Sequence, residues 1–153
     1  MEVVKTPGIQ RCETTDDSIV EMLEKTPLWS GLTKLDLRQV IKASKERSFE
    51  SGHTVVSKGD PGDGFYLIFE GAAEVRSDGK TLSKLGPGQF FGEMSILDNQ
   101  PRSADVVTVE PSRILFLSAL SFKTLIFANP KIALKMLQEF VRRLRDTDKL
   151  LSE

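Results

Sequence analysis

The sequence predicts a mainly β sandwich or barrel flanked by helices. Three observations carry that prediction. Between Arg47 and Ser118 the chain breaks into short β-rich runs separated by glycines about every 8–12 residues, the texture of an antiparallel double layer or barrel. Inside that span Asp78-Gly79 sits between two apolar runs, a strong signal for a two-residue hairpin turn. On either side of it the apolar period changes from two to three and four, which is the period of amphipathic helices.

The elements follow in order. Residues 1–14 are polar and contain Pro7-Gly8, and they read as a flexible arm. Residues 15–45 carry two helices. In the first, Asp16 to Lys25, Ile19, Val20, Met22 and Leu23 form the apolar face, acidic residues occupy the first turn and Pro27 ends it. The second begins at Thr33, which can cap it with Asp36 three residues on, and its face continues through Leu37, Val40 and Ile41. Trp29 between them reads as ordinary packing.

Residues 46–118 hold seven or eight strands. The run Phe65 to Glu70 sets Phe65, Leu67 and Phe69 on one face against Tyr66 and Ile68 on the other. After the last strand, Leu120 to Phe127 predicts a short helix. Asn129-Pro130 then supplies the cap and first residue of a long one reaching Leu151. Along it Ala133, Leu137, Phe140, Leu144, Thr147 and Leu151 alternate spacings of four and three, the seam of a coiled coil. Packing on the chain's own sandwich and pairing with a second copy both satisfy that seam.

Composition excludes several function classes. A chain of 153 residues is most simply one domain, long enough to bury roughly 68–70% of its unfolded surface without a metal or disulfide. The single Cys12 has no internal partner, consistent with a reducing cytosol. With 21 basic and 22 acidic residues the net charge is −1, so no global field favours nucleic acid or anionic membrane. No run of about 18 apolar residues suggests a membrane span, and the N-terminus lacks the apolar core of a signal peptide. The expectation is a soluble cytoplasmic protein. His53 is the one histidine, too few for a His-rich metal centre, and no serine or cysteine has a histidine base. The expectation is therefore no enzyme activity, no metal and no cofactor.

The chemistry concentrates in residues 90–106, FFGEMSILDNQPRSADV. Gly92 allows a sharp backbone turn. Glu93 to Leu97 can form one helical turn whose free N–H groups suit an anion. Arg102, nine residues after Glu93, offers a planar guanidinium able to grip two phosphate oxygens. Glu93 repels phosphate but, accepting only, suits a hydroxyl. A phosphate beside a hydroxyl points to a nucleotide; a plain salt bridge between Glu93 and Arg102 is the competing reading.

Phe91-Gly92-Glu93, the small Ser95 and Pro101-Arg102-Ser103-Ala104 resemble, without insertion, the phosphate-binding cassette of the cyclic-nucleotide-binding domain family. Kinase regulatory subunits, cyclic-nucleotide-gated channels and the catabolite activator protein share that domain. The segment SKGDPGDGFYLIFEGAAEV resembles the family's second to fourth strands, so the likeness spans most of residues 28–150. It implies an eight-stranded β jelly-roll (a double-stranded β-helix) at 46–118, N-terminal helices, and a long C-terminal helix within 119–153.

The resemblance further implies that Arg102 binds a cyclic phosphate and Glu93 a ribose 2′-hydroxyl. Phe91, Gly92, Met94, Ser95, Ser103 and Ala104 complete the cradle, and Gly71 is the candidate for backbone approaching the sugar. Gln138 or Arg142 would lid the base, and Ile96 would act as the hinge. Cyclic AMP is the expected ligand, with cyclic GMP the alternative because Ser103 carries the hydroxyl that cyclic-GMP-preferring relatives place after the arginine. Asp105, where many relatives are uncharged, departs from the pattern. The implied protein is a non-enzymatic sensor signalling through its C-terminal helices to an unknown effector protein. A ligand-free dimerisation module, or a truncated transcription factor or channel sensor domain, are the alternatives. No DNA-reading element follows the long helix before Glu153, and its six basic and four acidic residues from Lys131 on form a solvated face, so neither DNA nor membrane is an expected partner.

Overall fold

A computed structural model describes residues 9–11, 16–26, 29 and 32–151. Among them the order is β1 (Ile9–Arg11), α1 (Asp16–Glu24), α2 (Lys34–Ala43), β2 (Lys45–Phe49), β3 (Thr54–Val56), β4 (Gly64–Glu70), β5 (Ala73–Ser77) and β6 (Lys80–Leu85). There follow β7 (Phe90–Phe91), α3 (Glu93–Asp98), β8 (Asp105–Thr108), β9 (Ser112–Ser118), α4 (Ala119–Ala128) and α5 (Pro130–Leu151). The strands form two antiparallel sheets, ordered β1-β2-β9-β4-β7 and β3-β8-β5-β6. The eight strands from β2 to β9 make the expected jelly-roll, and helices flank it on both sides in the chain.

Period-two alternation builds two cores. Tyr66 and Ile68 of β4 face inward between the sheets, where they meet Val56, Val106 and Ile114. Phe65 and Leu67 face outward and are covered by the helices, through Ile19, Leu37, Phe122, Ile132 and Met136. Strand β4 is thus buried on both faces, which accounts for its almost continuous apolar sequence.

The local signals behave as their chemistry requires. Thr33 Oγ1 accepts from Asp36 N at 3.1 Å while Thr33 N donates to Asp36 Oδ2 at 3.3 Å, a complete capping box at the start of α2. Asp78 (φ 54°) and Gly79 (φ 77°) form a tight left-handed turn between β5 and β6. Asn129 serves both helices at their junction: its backbone N–H and its side-chain Nδ2 both donate to Leu125 O of α4, while its own carbonyl accepts from Ile132 N at 3.0 Å in the first turn of α5.

Two expectations are corrected. Residues 1–14 are not all loose arm, since Ile9–Arg11 pair antiparallel with Arg47–Lys45 at the sheet edge; the free backbone groups of β2 recruit a segment with no strand signal of its own. Pro7, Gly8, Cys12, Pro27 and the ends of the chain lie outside the described residues. The seam on α5 also differs. The stripe against the sandwich is Ile132, Met136 and half-buried Phe140, while Leu134, Leu137, Val141 and Leu144 are 50–62% exposed. The helix is apolar on two sides, so counting threes and fours mixed residues from both; the side chains of Thr147 and Leu151 are not described.

Candidate functional site

The end of β7, the turn at Gly92 and the first turn of α3 form one wall of a cavity of about 450 Å³, within the roughly 300–1,000 Å³ common for small-molecule sites. Phe91 through Ser95 and Arg102 through Ala104 line it, and Arg142, Arg143 and Asp146 reach it from α5. Val56, Val75, Leu85 and Val106 give it an apolar wall, with Ser83 and Lys84 at the β6 edge.

Gly92 has φ 94°, and a Cβ there would stand 2.7 Å from Gly64 O and 2.8 Å from Arg102 Nη1. Only glycine permits both the turn and that approach. Arg102 is 5% exposed. Its Nη1 donates to Gly92 O at 3.0 Å, and Nη2 donates to Gly64 O at 3.1 Å and to Asp63 Oδ1 at 2.7 Å. Its backbone is tied to the loop before β4: Gly59 N donates to Arg102 O and Arg102 N to Asp60 O, each at 2.8 Å. The guanidinium is therefore fixed before any ligand arrives, with Nε–H and one Nη1–H left uncommitted among these contacts.

Glu93 is 3% exposed, and its Oε2 is buried without a hydrogen-bond partner among the described residues. Burial raises its pKa above the usual carboxylate range, opposed by its own backbone N–H and by the charges of Arg143 and Arg102. An orphaned, desolvated acceptor is costly unless a donor reaches it, and a ligand hydroxyl is such a donor. Arg143 approaches from α5, with Nη1 3.8 Å from Glu93 Oε1 and the guanidinium carbon 5.0 Å from the centre of the Phe90 ring. Glu93 and Arg102 share no ion pair; Arg102 pairs with Asp63 and Glu93 with Arg143. The plain salt-bridge reading of the two thus gives way to two separate anchors on one cavity.

The remaining sequence candidates divide. Gly71 is not on the cavity: it turns the chain between β4 and β5, and a Cβ there would collide with Ser112 Oγ and Pro111 O. That close packing, not a bound sugar, explains its glycine. Gln138 is exposed and does not line the cavity, whereas Arg142 does, held by Glu139 and by Asp146 at 3.2 Å. Asp105 turns away from Arg102 and accepts from Lys58 N at 2.7 Å, so its charge serves a loop contact. Ile96 lies in the helix-side core with Phe122 and Leu125. His53 tilts against Phe49 and is remote from the cavity lining.

Sequence reasoning missed Asp63, Arg143, Asp146 and the apolar wall. Asp63 has a signal, lying just before β4 in the segment that resembles the family; Arg143 has none, being one of six basic residues interspersed with four acidic ones from Lys131 on. Among the described residues no cluster of three or more His, Cys, Asp and Glu side chains could hold a metal, and no helix is long and apolar enough to cross a membrane.

Comparison with known proteins agrees with this architecture. Residues 46–129 match the family model of the cyclic nucleotide-binding domain. The chain is 31% identical over 110 residues to a cAMP-dependent protein kinase regulatory subunit of Yarrowia lipolytica, covering 72% of this chain and 29% of the relative. It is 30% identical over 138 residues to a CRP-like cAMP-activated global transcriptional regulator of Mycobacterium tuberculosis, covering 87% and 62%. The crystal structure of the Thermus thermophilus catabolite activator protein superposes with a TM-score of 0.76 at 33% identity, covering 83% of this chain and 62% of that one. The chain thus spans less than two thirds of the length of these relatives. A jelly-roll carrying this cassette, matched by the family model over more than half of the sequence, is a member of the cyclic nucleotide-binding domain family.

Proposed function

We propose that this chain is a cytosolic, non-enzymatic sensor that binds a 3′,5′-cyclic nucleotide, cyclic AMP foremost, in the cavity beneath α5. One observation carries the reading: a buried guanidinium with uncommitted donors and a buried carboxylate with an unpartnered oxygen face one cavity. The first matches a phosphodiester and the second a ribose hydroxyl. The relatives support the choice of adenine, since the yeast subunit and the mycobacterial regulator are described as cAMP-dependent and cAMP-activated. The contact between Arg143 and Glu93 gives binding a direct route to α5. Calorimetry tests the reading: cyclic AMP should bind far more tightly than 5′-AMP, whose open, doubly charged phosphate does not match the two uncommitted N–H groups of Arg102. Equal affinity, or none for either, would overturn it.

A second copy of the chain is the partner that α5 suits. Leu134, Leu137, Val141 and Leu144 alternate spacings of three and four on an exposed face. Sedimentation should show a dimer that Leu137→Glu dissociates, and a monomeric parent protein would contradict this pairing.

A further inference from the structure

The Arg102 guanidinium ends a chain of hydrogen bonds that crosses three strands. Asp63, its partner, is 57% exposed in its side chain and needs an anchor to stay in place. The Tyr66 hydroxyl supplies one, lying 3.4 and 3.3 Å from the two Asp63 oxygens. That hydroxyl accepts in turn from Arg47 Nη1 at 3.3 Å. Arg47 stands on β2 and Tyr66 on β4, with β9 between them, and the Arg47 guanidinium bridges the gap by lying 3.7 Å from the centre of the Phe116 ring. Tyr66 cannot swing out of this line. Its ring is 1% exposed and stacked on Phe91 at 4.9 Å with planes 3° apart. Burial also raises the pKa of its hydroxyl, which therefore stays protonated as a donor to Asp63.

The charges sum usefully. Two guanidinium groups and one carboxylate leave one positive charge along the chain, and a cyclic phosphodiester carries one negative charge. The donors run in one direction: Arg47 to Tyr66, Tyr66 to Asp63, with Arg102 closing on Asp63 from the other end.

We infer that Tyr66 and Arg47 are positioning residues for the ligand phosphate, acting through Asp63 on the orientation of Arg102. The inference rests on the cyclic-nucleotide reading above. Neither residue lines the cavity, so neither touches the ligand. Tyr66→Phe removes one oxygen and keeps the stack on Phe91, and Arg47→Met removes the donor while keeping an unbranched stem over Phe116.

The test uses the full chain with cyclic AMP, reading affinity by calorimetry, the phosphorus resonance of the bound ligand at saturation, and the thermal midpoint of the free protein. Each variant should weaken binding roughly tenfold, the scale of one hydrogen bond. The double variant should be no worse than the weaker single one, because both break the same link. The phosphorus resonance should move toward its free-solution position in both. Parent protein that binds while both variants bind within twofold of it would overturn the inference, as would weaker binding with an unmoved phosphorus resonance, which marks a purely structural role. If the parent protein does not bind cyclic AMP at all, the cyclic-nucleotide reading fails first and this inference with it.

Discussion

Arg143 on the last helix stands 3.8 Å from Glu93, the buried carboxylate of the cassette. The pair joins the two parts of the chain that a sensor must couple. Arg143 also lies over Phe90 and is held by Glu139 at 3.4 Å, so this side chain joins α5 to both β7 and α3, beside the edge contact of Phe140 with Phe90. Arg143→Met should weaken cyclic AMP binding about three- to tenfold, as expected for a half-exposed ionic contact and the ordering of a helix over the cavity. Calorimetry checks it; an unchanged affinity would leave Arg143 without a part in binding.

Arg102→Ala should weaken cyclic AMP at least about a hundredfold, since each hydrogen bond to a charged group is worth roughly 1.5–3 kcal/mol. The same side chain holds Gly92 O and Gly64 O. The free protein should therefore also lose about 1–3 kcal/mol of stability through unpaired buried carbonyls. Denaturant titration separates the two effects, and full affinity in a folded variant would remove Arg102 from the site.

Glu93→Gln should cost less affinity than Arg102→Ala, because an amide oxygen still accepts from a hydroxyl. Burial raises the Glu93 pKa in the folded state, so the folded protein holds this proton more tightly than the unfolded chain. Stability from the group is then present at acid pH and lost as pH rises through the raised value. The free Glu93→Gln protein should melt about 2–4 °C higher at neutral pH, the shift that roughly 1 kcal/mol gives at this size. The gain should vanish in acid. Cyclic AMP affinity of the parent protein should meanwhile decline on acidification at a pH above the ordinary carboxylate range. A Gln variant that is less stable at neutral pH would assign the carboxylate a structural role.

Ser103 is exposed at the cavity rim, free of the packing that fixes Ala104 beside it. Ser103→Ala should change the ratio of cyclic AMP to cyclic GMP affinity, with cyclic GMP losing more because guanine offers the additional hydrogen-bonding partner. Competition measurements decide this, and cyclic GMP binding tenfold more tightly to the parent protein would reverse the assignment of the base.

Much of this was legible because it is local. The capping box at Thr33 and Asp36, the hairpin at Asp78-Gly79 and the turn at Gly92 each depend on a few consecutive residues whose backbone preferences agree with the fold. The pairing of Arg102 with Asp63 was not, since 39 positions separate them and no period relates a strand start to a cassette arginine. Gly71 misled for a related reason: a glycine can be required by a ligand or by a neighbouring side chain, and sequence does not distinguish Ser112 from a sugar. On α5 two apolar faces share one helix, and only the sandwich decides that Ile132 and Met136 turn inward while Leu137 and Leu144 turn out.

Hydrogen exchange with and without saturating cyclic AMP tests the coupling of cassette and helix most directly. Protection should rise across Gly92 to Ala104, where the ligand closes the cradle, and change together with it across Pro130 to Leu150, because Arg143 ties that helix to Glu93. The coupling is bounded by the difference in ligand affinity between the two arrangements, a few kcal/mol at most. Protection confined to the cassette would contradict the account of a sensor that signals through α5, and no change in either segment would contradict the binding site itself.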